Sequence, residues 1–450
     1  MMNLVEALRT DASARLALVG AGGKSTALFQ LAHQLPPPVL VTSTTHLGID
    51  QIQLAGRHYF VNDSAGIDRV MEDPPQDVLL FTGPDSGSGR TLGIAPAALE
   101  RLRVLAGTYK IPLLVEADGS RRRPLKAPAV HEPPIPDFIN TVLVVAGLSG
   151  VGRPLGEEFV HRPEIFASLS GLELGSPVTV EALARVFTAA QGGLKNIPEG
   201  ARRVALLNQA DTPEMVDLAH RLVTLLLPAY QAVIIASLDA IREGKSSNEP
   251  GRVQSVHQKI AGIILAAGEA RRFGSPKQVL PWEGVPLVRR AALVAIEAGL
   301  EPVVVVTGAH AEQVRPALDG LPVILAHNPD WKAGQSTSLQ TGLHLLPSET
   351  GATVFLLADQ PYVGVDLLQA LVNVHAATLA PLVAPRVGER RANPVLFDRM
   401  AFPDLMTLQG DTGGRALFSE PYRYPVAWRE WEDPAILFDI DAPQDYTGES

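Results

Sequence analysis

Cysteine is absent from the 450 residues. Its absence excludes disulfides, thiolate metal sites and a cysteine nucleophile. No apolar run approaches the roughly 20 residues that a membrane helix needs. Residues 1–10 also lack the basic-then-apolar pattern of a secretion signal. A cytoplasmic protein with no membrane partner is therefore expected. An excess of positive charge is missing too. The net charge is −10, which argues against nucleic acid as a partner, because nucleic acid selects a basic face. Small anions remain admissible, since a local basic pocket can sit on an acidic protein. Charged residues are sparse at 19%, whereas apolar residues reach 46%, and Gly and Pro number 39 and 37. Such a chain builds sizeable cores joined by many turns, and its length implies two or three domains.

In the first half, Arg15 to Val19 reads as a strand. It runs into Gly20-Ala21-Gly22-Gly23-Lys24-Ser25-Thr26, and apolar positions at Leu28, Leu31, Ala32 and Leu35 then read as a helix. Strand, Gly-rich turn with Lys-Ser, helix is the layout of a phosphate-binding loop. Its spacing is the short G-x-x-G-K-[ST] form. The bland alternative is a turn with a solvated lysine. Further strands are predicted at 39–42, 78–81, 111–115, 141–146 and 204–207. The first of these leads into Ser43-Thr44-Thr45-His46, whose hydroxyls suit a ligand or Mg²⁺. The third leads into Glu116 and Asp118, an i, i+2 pair that shares one side if the strand continues. Carboxylates at a strand end suit a metal ion. Arg121, Arg122, Arg123 and Lys126 follow, either to hold phosphates or as a solvated turn. After 204–207, Asn208 to Asp211 reads as a ligand-reading corner. Arg242 to Gln258 is polar, with Gly, Ser and Pro, and reads as an exposed linker. The predicted division is 1–245, linker 246–258, and 259–450.

The second half opens on a buried strand from Ile260 through Leu265. It stops at Ala266-Ala267-Gly268, and a loop with Arg271, Arg272, Gly274 and Lys277 follows. Small residues let the backbone approach an anion, and Lys277 supplies a compact charge suited to phosphate. Helices are predicted at 287–298 and 311–318, and strands at 302–307, 323–325 and 353–357, in a βαβ rhythm. Gly334-Gln335-Ser336-Thr337-Ser338 opens a further helix. Ser336 there is either a ligand contact or an N-cap. Asp359 follows the strand 353–357, where a Mg²⁺ ligand is expected. Asp439 and Asp441 flank Ile440, so in a strand both would face one side. Asp441 could equally be a turn or cap residue ahead of Pro443.

Two resemblances rest on these segments. Residues 1–240 resemble the YqeC family through GAGGKST (20–26), TSTTH (42–46), EADGSRRRPLKAP (116–128), HEPPIP (131–136), VHRPE (160–164) and LNQAD (207–211). This implies a P-loop-like α/β domain in an accessory role to selenium-dependent hydroxylases, with no defined reaction. Residues 260–446 resemble MobA-like nucleotidyltransferases of the molybdenum cofactor cytidylyltransferase type. The carrying segments are LAAGEARRFGSPKQVLPW (265–282), GQSTSLQTGL (334–343), LADQP (357–361), NPVLF (393–397), GDTGGRALF (410–418) and DIDAP (439–443). This implies a Rossmann-like domain with a mostly parallel sheet, transferring CMP from CTP to Mo-molybdopterin for a molybdenum hydroxylase. Leu265 to Gly268, Gly274, Lys277, Gly334, Ser336 and Ser338 would bind nucleotide, with Lys277, Arg272 and Asp359 catalytic. Asp359, Asp439 and Asp441 would hold Mg²⁺, and Gln335, Asn393, Asp411 and Arg415 would line the acceptor side. LAAG rather than LAGG leans toward cytidine. Departures are Glu269, where a small polar residue is commoner, and Ala392, where glycine is usual.

Overall fold

The computed structural model describes residues 2–87, 89–238, 252–269, 273 and 275–446. The chain divides into two compact units, Met1–His257 and Gln258–Ser450. Both are α/β, as expected. No helix among the described residues is long and apolar enough to cross a membrane.

The first unit is built on Arg15–Gly20 (β1), Lys24–Gln34 (α1), Val39–Ser43 (β2), Arg57–Phe60 (β3), Val78–Thr82 (β4), Leu113–Glu116 (β5), Thr141–Gly147 (β6), Arg202–Asn208 (β7), Pro213–Leu226 (α2), Ala232–Ser237 (β8) and Arg252–Gln258 (β9). Their sheet order is β9-β8-β7-β6-β1-β5-β2-β4-β3. The pairings from β8 to β3 are parallel. Helices cover a parallel sheet on both faces, so its strands read as near-continuous apolar runs. Val142 to Ala146 are all at most 3% exposed. The register sets Gly20 beside Val145 and Asn208 beside Gly147, so the loops after β1, β6 and β7 share one sheet end.

The expected linker is corrected in part. Residues 252–258 form an edge strand beside β8, with Val253 and Val256 buried. The polar residues around them hid this alternation. Residues 246–251 of that linker lie outside the described residues.

The second unit uses Ile260–Ala266 (β10), Leu287–Glu297 (α3), Val303–Thr307 (β11), Val323–His327 (β12), Gln335–His344 (α4), Ala352–Leu357 (β13), Leu382–Val387 (β14), Arg390–Arg391 (β15), Val395–Asp398 (β16) and Val426–Glu430 (β17). The order is β12-β11-β10-β13-β16-β14-β15, with β17 beside β14. β12 to β13 are parallel, and β16 is antiparallel to both its neighbours. Apolar residues on the two faces form two clusters, one under α3 and one under α4. The strand expected around Asp439 is not formed. Pro434–Leu437 is a 3₁₀ turn, and the chain stays irregular through Asp441. Pro434 and Pro443 withhold the N–H groups a central strand requires.

Candidate functional site

In the second unit, the loop after β10 folds back so that Gln278, 4% exposed, lies beneath it. The Gln278 side-chain amide donates to the Gly268 carbonyl at 2.8 Å and the Ala266 carbonyl at 3.4 Å. This fixes the loop's carbonyls and places Lys277 at the start of a 3₁₀ turn. The Lys277 ammonium lies 2.5 Å from Asp359 Oδ2 and 3.3 Å from Asp441 Oδ1. It also donates to the Ile440 carbonyl at 3.0 Å. Burial works against the Lys277 charge, yet Asp359 and then Asp441 outweigh it and raise its pKa. Asp439 accepts from Gln360 Nε2 at 2.5 Å. Burial raises the Asp439 pKa against that hydrogen bond, and the nearby Asp359 and Asp441 carboxylates add to the rise. Asp359 Oδ1 is buried and has no hydrogen-bond partner among the described residues.

The opposite wall is the start of α4. Gly334 has φ +118°, and a Cβ there would lie 2.1 Å from the Gly410 carbonyl carbon, so glycine is required. Gly334 is also the N-cap, which removes that role from Ser336. The Ser336 amide bonds the Gly410 carbonyl instead. Asn328 Nδ2 donates to the Thr337 and Ser338 hydroxyls at 2.8 and 3.0 Å.

A cleft of about 530 Å³ lies between these walls. It is lined by the predicted Leu265, Ala267, Gly268, Lys277, Gly334, Gln335, Ser338, Asp359 and Asp411. Glu269, Gln278, Trp331, Lys332, Leu357 and Ala358 complete the lining. Ala266 and Ser336 are buried behind it. Asn393 and Arg415 do not line it. Arg415 lies near Arg391, whose pKa is lowered by burial and then by that neighbouring charge. Arg271, Arg272 and Gly274 lie outside the described residues.

The first unit carries a separate cavity of about 620 Å³ at the end of β1. Gly22 has φ +78°, and a Cβ there would meet the Gly147 amide nitrogen at 2.1 Å. Lys24, 4% exposed, donates to the Gly20 carbonyl at 2.6 Å and lies 3.3 Å from Asp118. Asp118 also accepts from the Gly20 amide and pairs with Lys126 at 2.8 Å. Lys126 pairs with Glu132 at 2.7 Å, and Arg162 clamps Glu132 through bonds of 2.6 and 2.7 Å. Burial alone would raise Glu132, but Arg162 and Lys126 bring its pKa down to about 2. His161 is partly buried, and that desolvation, followed by the charges of Arg162, Lys126 and Arg121, lowers its pKa to about 4.

Glu116 and Asp118 do not act as one pair. β5 ends at Glu116, whose Oε2 accepts from Ser25 Oγ at 2.9 Å, whereas Asp118 turns to the lysines. Burial raises the Glu116 pKa against the pull of Lys24 and Ser25. Ser43, expected to face a ligand, spends its hydroxyl on the Thr45 and Glu116 carbonyls. Among the described residues no group of three His, Asp or Glu side chains forms a ready metal cage.

A family model described as "YqeC protein" matches residues 16–164, and one described as "MobA-like NTP transferase domain" matches residues 262–425. "Uncharacterized protein YqeC" of Escherichia coli (strain K12) is 34% identical over 200 residues, covering 43% of this chain and 75% of that protein. "Nicotine blue oxidoreductase" of Paenarthrobacter nicotinovorans is 30% identical over 198 residues, covering 42% of this chain and 90% of the relative. "Purine catabolism protein PucB" of Bacillus subtilis (strain 168) is 32% identical over 200 residues, covering 42% and 94%.

The chain joins a YqeC domain to a MobA-like NTP transferase domain. In the transferase domain, residue-by-residue reading missed Gln278 and Gln360, the two amides that hold the loop and Asp439. Both stand directly beside a predicted site residue, in Lys277-Gln278 and Asp359-Gln360, and that adjacency was the available signal. In the YqeC domain it missed the pairing of Lys126 with Asp118 and Glu132, and that of Arg162 with Glu132. These residues lie within the segments that carried the resemblance, but nothing in their spacing reveals the pairing.

Proposed function

We propose that the transferase domain is a molybdenum cofactor cytidylyltransferase, moving CMP from CTP to the terminal phosphate of Mo-molybdopterin and releasing pyrophosphate. The observation that carries this reading is the Lys277 ammonium held by Asp359 and Asp441 in a cleft whose opposite wall is the start of α4. Donor and acceptor are both polyanions, so the site must neutralise charge and hold the two in line. Lys277 faces the donor phosphates, while Gln335 and Asp411 stand toward the acceptor. The attacking group is already an anionic phosphate, so no strong general base is needed. The oxygen donors suit Mg²⁺, since Asp359 Oδ1 is a buried oxygen without a partner among the described residues and two further carboxylates lie close. Bound by Asp359 with Asp439 or Asp441, Mg²⁺ would polarise the phosphates. A molybdenum hydroxylase apoenzyme is the proposed recipient.

The test is pyrophosphate release by the full chain with Mo-molybdopterin, Mg²⁺ and either CTP or GTP. Turnover with CTP, and not with GTP, is expected. Clear turnover with GTP alone would overturn the nucleotide assignment. Absence of turnover with both would favour a carrier role in delivering the finished cofactor.

A further inference from the structure

The cavity of the YqeC domain takes no part in the reaction above, and its wall has an unusual charge balance. Five cations line it, Lys24, Arg90, Arg121, Arg122 and Arg123, against two carboxylates, Asp50 and Glu116. This excess belongs to a chain whose net charge is −10. Arg122 pairs with Asp50. Arg90, Arg121 and Arg123 have no carboxylate partner among the described residues. Such a cluster favours a polyanionic ligand.

The floor of the cavity is built for the same ligand class. The amides of Gly23, Lys24, Ser25 and Thr26, at the start of α1, have no acceptor among the described residues, and all four residues line the space. Glu116 is 5% exposed and lines the space as well. One of its oxygens accepts from Ser25, and the other, Oε1, has no partner among the described residues. A serine hydroxyl and an unshared carboxylate oxygen are hard donors for the divalent cation that accompanies a triphosphate.

The far end of the nucleotide is marked on the neighbouring strands. β1, β6, β7 and β8 are consecutive in the sheet. β7 is the second strand from β1, and the corner that follows it borders the same cavity through Gln209. Asn208, closing β7, donates from Nδ2 to the Gly22 carbonyl at 2.9 Å and accepts from the Leu238 amide at 3.0 Å. It ties the loop to the corner that follows. Gln209, in the left-handed region at φ +66°, lines the cavity and accepts from Ser149 Oγ at 2.6 Å. Two residues on, the exposed Asp211 carboxylate is oriented by the Ser237 hydroxyl at the end of β8. An ionised carboxylate only accepts hydrogen bonds. Guanine presents two adjacent donors, N1–H and N2–H₂, which match its two oxygens. Adenine presents one donor beside an acceptor and does not match.

We propose that the YqeC domain holds a second nucleotide site, for a guanine nucleoside triphosphate with its divalent cation. Its phosphates lie on residues 23–26 under Arg121 and Arg123, and its base on Asp211. The proposal is independent of the transferase reading, which concerns a different cleft.

The test uses the full chain, a fluorescent GTP analogue and Mg²⁺, read by anisotropy. One saturable site per chain is expected. GTP should displace the analogue at least about tenfold better than ATP, as expected for a site whose polar groups are left unpaired by the wrong base. CTP should displace it no better than ATP does. Asp211→Asn should remove the preference for GTP over ATP, while inorganic tripolyphosphate should compete as it does with wild type. Lys24 is buried and its loss can disturb folding, so the phosphate end is tested on the exposed Arg121 and the partly exposed Arg123. Arg121→Ala with Arg123→Ala should weaken binding by about tenfold or more and flatten its salt dependence. Absence of saturable binding, displacement by CTP as readily as by GTP, or wild-type affinity in the double arginine variant would overturn the site. Equal competition by ATP and GTP, or an unchanged preference in Asp211→Asn, would overturn the guanine assignment.

Discussion

Lys24 and Lys277 each end a glycine-bearing loop that follows an interior strand of a mostly parallel sheet, yet they are held differently. The Lys24 side chain is 3% exposed and lies against its own loop carbonyl and Asp118, which Lys126 also occupies. The Lys277 side chain is 17% exposed and spans two acids from distant parts of the chain. The first lysine is part of a buried chain of alternating charges that runs on to Glu132 and Arg162. The second stands in an open cleft, where its partners are reachable by a ligand. One sequence pattern, a strand followed by a glycine loop and a lysine, therefore serves a buried charge network in the YqeC domain and lines an open cleft in the transferase domain.

Exchanging one carboxylate in each region gives the largest expected contrast. Asp118→Asn leaves two buried ammonium groups short of a partner. It should cost about 3–5 kcal/mol and lower the melting temperature of its domain by on the order of 10 °C. Asp359→Asn should leave melting within about 3 °C, while pyrophosphate release falls on the order of 100-fold. Calorimetry beside the turnover assay checks both, and a large loss of stability in Asp359→Asn would erase the distinction.

The glycines give a smaller contrast. Gly22→Ala forces a Cβ onto the Gly147 backbone at positive φ, at about 2 kcal/mol or more, so melting should fall by about 5 °C. Among the described residues, the nearest atom to a Cβ on Gly268 is Gln278 Nε2 at 3.9 Å. Gly268→Ala should therefore shift melting by less than about 2 °C. Equal shifts in the two variants would show that the loops are equally constrained.

The smallest effect is in acid. Glu132 has its folded pKa lowered to about 2, from an ordinary value of 4.5. Its stabilisation is present above the unfolded value and is lost as pH falls toward the folded one. Glu132→Gln should flatten the dependence of melting on pH between 4.5 and 2 in the YqeC domain, and leave that of the transferase domain as it was. An unchanged slope would remove Glu132 from the network's acid limb.

Much of this was legible in the sequence. Interior strands such as Thr141–Gly147 and Val303–Thr307 announce themselves because both faces are buried and nearly every position is apolar. The edge strands Arg57–Phe60 and Arg252–Gln258 and the antiparallel Val395–Asp398 were not read as strands. Edges tolerate polar residues, and short antiparallel strands carry little pattern of their own. Of the site, the glycines, Lys24, Lys277 and the strand-end acids were visible because their chemistry follows a strand in sequence. The partners of those acids were not visible, since Asp118 meets Lys126 and Asp359 meets Lys277 only through the fold. Asp439 and Asp441 were placed beside Asp359 for the wrong local reason. They arrive on an irregular segment, and the Lys277 ammonium and the Gln360 amide hold them there.

The contact between Lys24 and Asp118 also sets a threshold. The ammonium is already neutralised before any ligand arrives, so an incoming anion gains only the difference between its own attraction and that of the carboxylate it displaces. A monoanion such as chloride offers little more than Asp118 does, and gains little. On the proposed site a triphosphate would touch the loop amides and several arginines at once and exceed the threshold through its number of contacts. The internal acid would then work as a filter on valency, keeping the loop shaped and closed to the common small anions while leaving it open to a polyphosphate.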